Sequence, residues 1–230
     1  MNVTAAVNND ARPFIPRWSQ GRPFTDRAAA LRSLRHGRGA DLVIVIISGV
    51  AGSGKTTVGA MLAGRLAWPF ADADDFHPAA NVAKMRAGIP LTDEDRQPWL
   101  QAIGAWMDEH IARGESGIVG CSALKRSYRD MLLDGRPEAR MVFLATDREV
   151  LTRRLAARVG HFFPEQLLAS QLAALEPPEP DEQVIRVTPA DDPAATVTAI
   201  IAVLFPGGPP GGDAGSGASG AAGGDHEAEA

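Results

Sequence analysis

Eight consecutive residues at positions 49–56 have the types and spacing that bind phosphate. They read Gly-Val-Ala-Gly-Ser-Gly-Lys-Thr, between an apolar run at 42–47 that predicts a buried parallel strand and a segment at 57–67 with apolar residues at helical spacing. Glycines let successive backbone N–H groups turn toward an anion, and a helix start adds partial positive charge. Lys55 can reach the β- and γ-phosphates, and the Thr56 hydroxyl can ligate Mg²⁺. The pattern predicts a nucleoside triphosphate site, because a turn that only joins strand to helix leaves the Lys-Thr pair unexplained.

Two carboxylates follow the next predicted strand. Asp72 and Asp74 are two residues apart, so on an extended chain they share a face, at the end of the strand where ligands bind in open α/β sheets. One can belong to the Mg²⁺ shell while the other meets a substrate hydroxyl. The alternative is a solvated acidic turn in which Asp74 or Asp75 caps a helix. His77, three residues further on, is by itself more typical of a structural histidine.

A polar segment at 81–97 carries both signs of charge, including Arg86 and Arg96. It precedes Pro98, which is expected to open a helix that runs to about Ala112. A charged segment of this length before a well-marked helix favours a substrate-binding insertion. The alternative is a network of charges on the surface.

Two further groups of basic residues follow predicted strands. Lys125 and Arg129 are four apart on a predicted helix after the third strand, so they can project together and bind a carboxylate or phosphate. Arg154 and Arg158 share a face of a later helix that breaks at Gly160, which is typical of a mobile lid that brings positive charge to a transferring phosphoryl group. In both cases the alternative is a solvated basic helix face.

The predicted elements alternate along the chain, which favours a doubly wound parallel sheet of five strands with helices on both faces, an α/β fold. The strands are expected at 42–47, 68–71, 117–121, 141–145 and 184–187, and the main helices at 57–67, 98–112, 147–157, 165–175 and 194–205. The loop at 188–193 follows the fifth strand and is expected to touch the nucleotide base.

Charge and composition divide the 230 residues into three parts. Residues 1–40 form an arginine-rich extension with a formal charge of +5, residues 206–230 form a Gly-rich tail of −4, and the remaining domain at 41–205 carries −6. The tail is expected to be disordered because it cannot bury enough apolar surface. An acidic core argues against nucleic acid as a partner. One cysteine, and no apolar run long enough for a membrane span or a signal peptide, predict a cytoplasmic protein with no membrane partner.

Five signatures occur in a fixed order along the chain. They are Gly-Val-Ala-Gly-Ser-Gly-Lys-Thr-Thr at 49–57, Asp-Ala-Asp-Asp-Phe-His-Pro at 72–78, Pro-Leu-Thr-Asp-Glu-Asp-Arg-Gln-Pro-Trp at 90–99, Cys-Ser-Ala-Leu-Lys-Arg-Ser-Tyr-Arg at 121–129 and Gly-His-Phe-Phe at 160–163. Together they resemble the gluconokinases of the shikimate-kinase-like group. The resemblance covers about residues 43–204, and only the first signature is common to many families.

The resemblance implies a P-loop NTPase fold with strand order 2-3-1-4-5, a small lid and a homodimer. It implies a reaction in which ATP and D-gluconate, with Mg²⁺, give ADP and 6-phospho-D-gluconate, which feeds the pentose phosphate pathway. Lys55, Asp74 and Arg154 are the implied catalytic residues, with Asp74 as the base and with Thr56 and Asp72 near the metal. The residues implied to contact ATP are Gly49, Val50, Ala51, Gly52, Ser53, Gly54, Lys55, Thr56, Thr57, Arg154 and Arg158. Those implied to surround the sugar acid are Asp74, His77, Arg86, Arg96, Lys125, Arg129 and His161.

Two other functions remain open at this point. The first is another small-molecule kinase on the same scaffold, such as a shikimate or nucleotide kinase, since substrate choice depends on 77–99 and 121–129, where general motifs give no help. The second is a nucleotide-binding module without catalysis. Against the module, the sequence has no Asn-Lys-x-Asp motif for reading a base, and the charged segments beyond the phosphate loop would have no task.

Overall fold

The computed structural model of the protein describes residues 42–156 and 165–210. Its five strands, in chain order, are β1 (Ile44–Ser48), β2 (Phe70–Asp72), β3 (Gly117–Gly120), β4 (Ala139–Leu144) and β5 (Val184–Val187). They form one parallel sheet in the order β2-β3-β1-β4-β5. The predicted α/β fold and strand order are therefore confirmed, and no strand end differs from its prediction by more than two residues.

The described part of the chain also contains seven helices and one short 3₁₀ turn, which lie between the strands or follow the last one. The helices are α1 (Lys55–Leu66), α2 (Ala79–Arg86), α3 (Asp93–Arg113), α4 (Arg126–Leu133), α5 (Arg148–Ala156), α6 (Glu165–Ala174) and α7 (Pro193–Leu204), and the 3₁₀ turn spans Ala73–Phe76. Within the described ranges, no helix is both long and apolar enough to cross a bilayer.

The central strand, β1, is buried along its whole length, which shows that the sheet is covered on both faces. Ile44 and Ile46 point to one side, where they pack against apolar residues of α3 and α4 such as Ile103. Val45 and Ile47 point to the other side, where they pack against α1 and α7. This alternation follows from the period of two in a strand and gives the doubly wound arrangement.

A third, smaller apolar cluster lies beside the phosphate loop. It consists of Val50, Leu124, Leu151 and Leu168, which are all buried, with Leu155, Leu172 and Leu175 packed against them. Its members come from the phosphate loop, the segment after β3, and helices α5 and α6. This loop–helix cluster therefore joins three parts of the chain that follow different strands.

The polar segment before the third helix is more helical than the sequence analysis predicted. Helix α3 begins at Asp93 rather than at Pro98, and α2 occupies much of the region expected to be a loop. The Thr92 side chain accepts the N–H of Asp95, and the Asp95 carboxylate accepts the N–H of Thr92. This reciprocal capping box satisfies N–H groups that would otherwise lack partners, so it starts the helix ahead of the proline.

Replacing Thr92 by alanine should lower the free energy of unfolding by about 1 kcal/mol, because one N-terminal N–H of α3 loses its acceptor. Chemical denaturation followed by circular dichroism measures the change. Thr92→Ser, which keeps the hydroxyl, should stay close to the wild type. Equal losses in both variants would show that the methyl group, and not the cap, is responsible.

Candidate active site

The register of three strands brings the phosphate loop and the acidic segment to one edge of the sheet. Ile47 of β1 and Asp72 of β2 both pair with Gly120 of β3, on its two sides. The loops after these strands therefore leave the sheet at the same level. This is the edge at which ligands bind in open parallel sheets.

The phosphate loop begins with a backbone conformation that requires glycine. Gly49 has a φ of 140°, and a Cβ there would lie 2.9 Å from Ser53 Oγ and 3.1 Å from the Leu144 carbonyl oxygen, so only glycine fits. Lys55 opens α1, and its Nζ donates to the Val50 carbonyl at 3.1 Å. The lysine therefore lies folded over the loop whose phosphates it is expected to bind.

Thr56 and Asp72, the two predicted metal ligands, are in direct contact. Thr56 Oγ1 donates to Asp72 Oδ2 at 2.9 Å, and Asp72 Oδ1 accepts the N–H of Asp74 at 3.1 Å. A hydroxyl and a carboxylate side by side fit Mg²⁺, which uses one or two carboxylates and takes its other ligands from phosphates and water. Among the described residues no group of three or more His, Cys, Asp or Glu residues could hold a metal ion without such help.

Asp74 lies at the meeting point of the two halves of the site. Asp74 is solvent-exposed as a whole residue, but desolvation of its carboxyl by nearby protein atoms and the negative charge of Asp72 raise its pKa, while the positive charges of His77 and Lys55 oppose that rise. A raised pKa brings a carboxyl nearer the range in which it accepts a proton efficiently at neutral pH. Asp72, in contrast, caps the 3₁₀ turn, the task that the sequence analysis considered for Asp74 or Asp75.

Trp99 of α3 fixes the segment that carries Asp74. Its Nε1 donates to the Ala73 carbonyl at 2.6 Å, and its ring stacks on the His77 imidazole with centroids 4.6 Å apart. Burial lowers the pKa of His77, which favours the neutral ring at pH 7, and His77 Nδ1 has no hydrogen-bond partner within the described residues. The histidine is thus held by stacking, and its buried Nδ1 is left without a hydrogen-bond partner among the described residues.

Lys125 is held in place by an acid from the start of α3. Its Nζ contacts both carboxylate oxygens of Asp93 at 2.8 and 2.7 Å, and Tyr128 Oη donates to Asp93 at 2.6 Å. These hydrogen bonds lower the pKa of Asp93. Arg96 donates to the Leu91 carbonyl and lies 3.9 Å from Asp93. Lys125 and Arg96 are therefore brought together around one carboxylate.

Arg86 is exposed at the end of α2, and no contact with the other predicted substrate residues is found in the described part of the structure. Its role stays a prediction. The same holds for Arg158 and His161, which lie outside the described residues.

The expectation that Arg129 binds substrate beside Lys125 is wrong. The Arg129 side chain is 1% exposed and forms a bidentate pair with Glu182, at 2.6 and 2.8 Å, while its Nη1 donates to backbone carbonyls including that of Glu176. Lys125 is the extended residue before α4 rather than part of it, so the spacing of four that predicted a shared face does not apply. Arg129 ties α4 to the segment that precedes β5.

Arg129→Ala should destabilise the protein by about 3–5 kcal/mol, because it leaves the Glu182 carboxylate buried without its partner. Arg126→Ala is the matched control, since Arg126 lies on the same helix and pairs with Asp181 of the same segment, but at the surface. That control should cost no more than about 1 kcal/mol. Urea unfolding measures both. An Arg129→Ala variant with normal stability and a raised KM for substrate would restore the original expectation.

Arg154 lies on the nucleotide side of the phosphate loop. Its Nη1 is 3.5 Å from the Ser53 carbonyl and its Nη2 is 3.4 Å from the Ala190 carbonyl. A cavity of about 210 Å³ opens here between the phosphate loop, Arg154 and the segment 189–193. The loop expected to touch the base therefore lines this cavity, although base contact itself stays a prediction. A larger cavity of about 290 Å³ lies at the other end of α1, beside Arg65, far from these groups.

Three residues that the sequence analysis did not single out take part in the site. Asp93 and Tyr128 hold Lys125, and Gln171 of α6 accepts the Ala51 N–H through its side-chain oxygen at 2.7 Å. The Thr-x-x-Asp spacing at 92–95 was a readable signal for the helix start near Asp93. No local pattern marks Gln171, because its partner is 120 positions away.

Together, the phosphate loop, the strand order and the carboxylates beyond β2 define a P-loop kinase for small molecules. A family profile described as an AAA domain matches residues 44–178. A gluconokinase from Gluconobacter oxydans is 46% identical over 157 residues, which cover 68% of this chain and 88% of the relative. The chain belongs to the gluconokinase family.

Solved structures agree with this relationship. A crystal structure of a gluconokinase from Sinorhizobium meliloti is 41% identical, with a TM-score of 0.61, and the match covers 73% of this chain and 98% of that one. An unliganded sugar kinase from Janibacter sp. is 45% identical, with a TM-score of 0.66 over 71% of this chain and 94% of that one. An APS kinase from Mycobacterium tuberculosis, 18% identical with a TM-score of 0.53, shares the fold alone.

Proposed function

We propose that this protein transfers the γ-phosphoryl group of ATP to D-gluconate and releases ADP and 6-phospho-D-gluconate. The observation that carries the proposal is the hydrogen bond between Thr56 and Asp72. It joins the phosphate loop to the segment of Asp74, so an acceptor hydroxyl at Asp74 lies next to the end of a triphosphate held by the loop. The substrate follows from the relatives, which are named as gluconokinases.

In the proposed reaction, a gluconate hydroxyl oxygen forms a bond to the γ-phosphorus and the bond to the β–γ bridging oxygen breaks. The hydroxyl proton goes to Asp74, and ADP leaves. Lys55 and the loop amides bind the phosphates, and Arg154 stabilises negative charge on the transferring group. Little covalent chemistry is needed from the protein, so most of the rate enhancement comes from position and charge.

Mg²⁺ would be held by Thr56 and, directly or through water, by Asp72. The ion would neutralise charge on the phosphate oxygens. The adjacent hydroxyl and carboxylate oxygens of these two residues support this assignment. Asp74 is then left for the acceptor, and its raised pKa supports the division of roles between the two acids.

The sugar acid is proposed to bind between the 3₁₀ turn and the start of α4. Its carboxylate would meet Lys125 and Arg96, and its hydroxyls would meet His77 and Asp74. Gluconate has one carboxylate and a row of hydroxyls. Lys125 and Arg96 provide positive charge for the carboxylate, and His77 and Asp74 provide hydrogen-bonding groups for the hydroxyls. Arg86, Arg158 and His161 belong to the proposal on the family resemblance alone.

The proposal also includes a homodimer in the cytoplasm with no nucleic-acid or membrane partner. The single cysteine supports a reducing compartment. Burial raises the pKa of Cys121 to about 12, so this thiol stays protonated and takes no part in the chemistry. Light scattering during gel filtration measures the oligomeric state.

An acceptor panel tests the substrate. Purified protein is assayed for ADP release with D-gluconate, related sugar acids, shikimate and nucleoside monophosphates. Gluconate should give the highest kcat/KM, and a preference for another acceptor would contradict the assignment.

Lys55→Ala should lower turnover with gluconate at least about a hundredfold in the same assay, since one charge contact in a transition state contributes about 3 kcal/mol. Near-normal turnover in this variant would also contradict the assignment.

Asp74→Asn should abolish most turnover while leaving ATP affinity largely intact, because the amide keeps the shape but cannot take the proton. Calorimetric titration with ATP and Mg²⁺ measures affinity, and the ADP-release assay measures turnover. Asp75→Asn, one residue further along the same turn, is the matched control and should retain activity. A joint loss of turnover and nucleotide affinity in Asp74→Asn would place Asp74 in the metal shell.

A further inference from the structure

One peptide unit of the phosphate loop is held from both sides. Its carbonyl oxygen, on Val50, accepts a hydrogen bond from Lys55 Nζ at 3.1 Å. Its N–H group, on Ala51, donates to Gln171 Oε1 at 2.7 Å. The first contact comes from the loop's own helix, whereas the second comes from α6, more than a hundred residues later. The orientation of this peptide therefore depends on two separate side chains.

The glutamine reaches the loop because α6 packs on it. Leu168, one turn before Gln171 on α6, belongs with the buried Val50 side chain to the loop–helix cluster. Residues three apart on a helix share a face, so Gln171 projects from the side that meets the loop. Within the same loop, a Cβ at Gly52 would lie 3.0 Å from the Leu155 side chain of α5. Packing thus keeps Gln171 beside the loop independently of any bound nucleotide.

The Lys55 ammonium group contacts different atoms in this structure and in the proposed reaction. In this structure it contacts the Val50 carbonyl, but in the proposed reaction its ammonium group is needed at the phosphates. Its ammonium group has three donors, for which the Val50 carbonyl and the phosphate oxygens would compete. A second restraint on the N–H side keeps the peptide oriented while the lysine is engaged.

We propose that Gln171 is a positioning residue for nucleotide binding, which holds the Val50–Ala51 peptide in the orientation that the triphosphate requires. The role rests on the proposed kinase function but not on the identity of the acceptor. The alternative is competition. In that case Gln171 Oε1 accepts the Ala51 N–H only until ATP binds, when a phosphate oxygen accepts it instead. The first arrangement fits a peptide that is held on both sides, by Gln171 at its N–H and by Lys55 at its carbonyl. The two arrangements predict opposite changes in affinity.

The test is Gln171→Leu, which keeps the bulk and removes the acceptor. The non-hydrolysable analogue AMPPNP is titrated with Mg²⁺ by calorimetry without gluconate, so the result does not depend on turnover. Loss of one hydrogen bond should raise Kd about fivefold. The KM for gluconate at saturating ATP should change less than about twofold on the same scale. Gln101→Leu, at an exposed position of α3, is the matched control and should bind the analogue as the wild type does.

An unchanged or lower Kd for Gln171→Leu, with a normal melting temperature, overturns the proposal, and a lower Kd identifies the glutamine as a displaced occupant. If Gln171→Leu melts at a clearly lower temperature, Gln171→Asn decides in the same titration, because it stays polar but is one carbon too short to reach Ala51. The same rise in Kd then supports the proposal, and no rise overturns it. If the wild-type protein does not phosphorylate gluconate, the substrate assignment is refuted. If Gln171→Leu still weakens AMPPNP binding in that case, the proposed role of Gln171 stands.

Discussion

The pairing of three strands is the constraint on which the site depends. Gly120 of β3 pairs with Ile47 on one side and with Asp72 on the other. Adjacent strands lie about 4.8 Å apart, so the phosphate loop and the acidic turn begin roughly 10 Å from each other. The first turn of α1 spans this gap, and the Thr56 hydroxyl closes it.

The charged groups around the proposed substrate site are ordered by partners within the protein. Lys84 pairs with Asp95, Lys125 with Asp93, and Arg129 with Glu182. The first two pairs are partly exposed, so each contributes little stability, whereas the third is buried and fixes structure. Lys125 therefore presents an oriented charge, which the gluconate carboxylate would share with Asp93 in the proposed complex. Such a site favours a ligand that also satisfies the neighbouring donors over a bare anion.

The sequence sufficed for the features whose signals are local. The strands, the phosphate loop and the acids after β2 follow from hydrophobic runs and fixed spacings, and the structure agrees with them. The start of α3 was misplaced because the proline signal outweighed the Thr92 cap. Arg129 was misread because burial cannot be inferred from a basic residue at helical spacing. Its partner, Glu182, lies 53 positions away, and no spacing rule connects the two. Gln171 escaped notice for the same reason.

The loop–helix cluster joins the phosphate loop to the segment that carries Lys125. Val50 belongs to the phosphate loop, while Leu124 stands next to Lys125 on the substrate side, and both pack on Leu151 and Leu168. A close-packed group of this kind resists gradual deformation and moves as a unit. A rearrangement of α5 or α6 would therefore have to repack Val50 and Leu124 together. In the proposed enzyme this packed group supports both the phosphate loop and the residue next to Lys125, so the two proposed sites share one rigid base, as the alignment of two substrates requires.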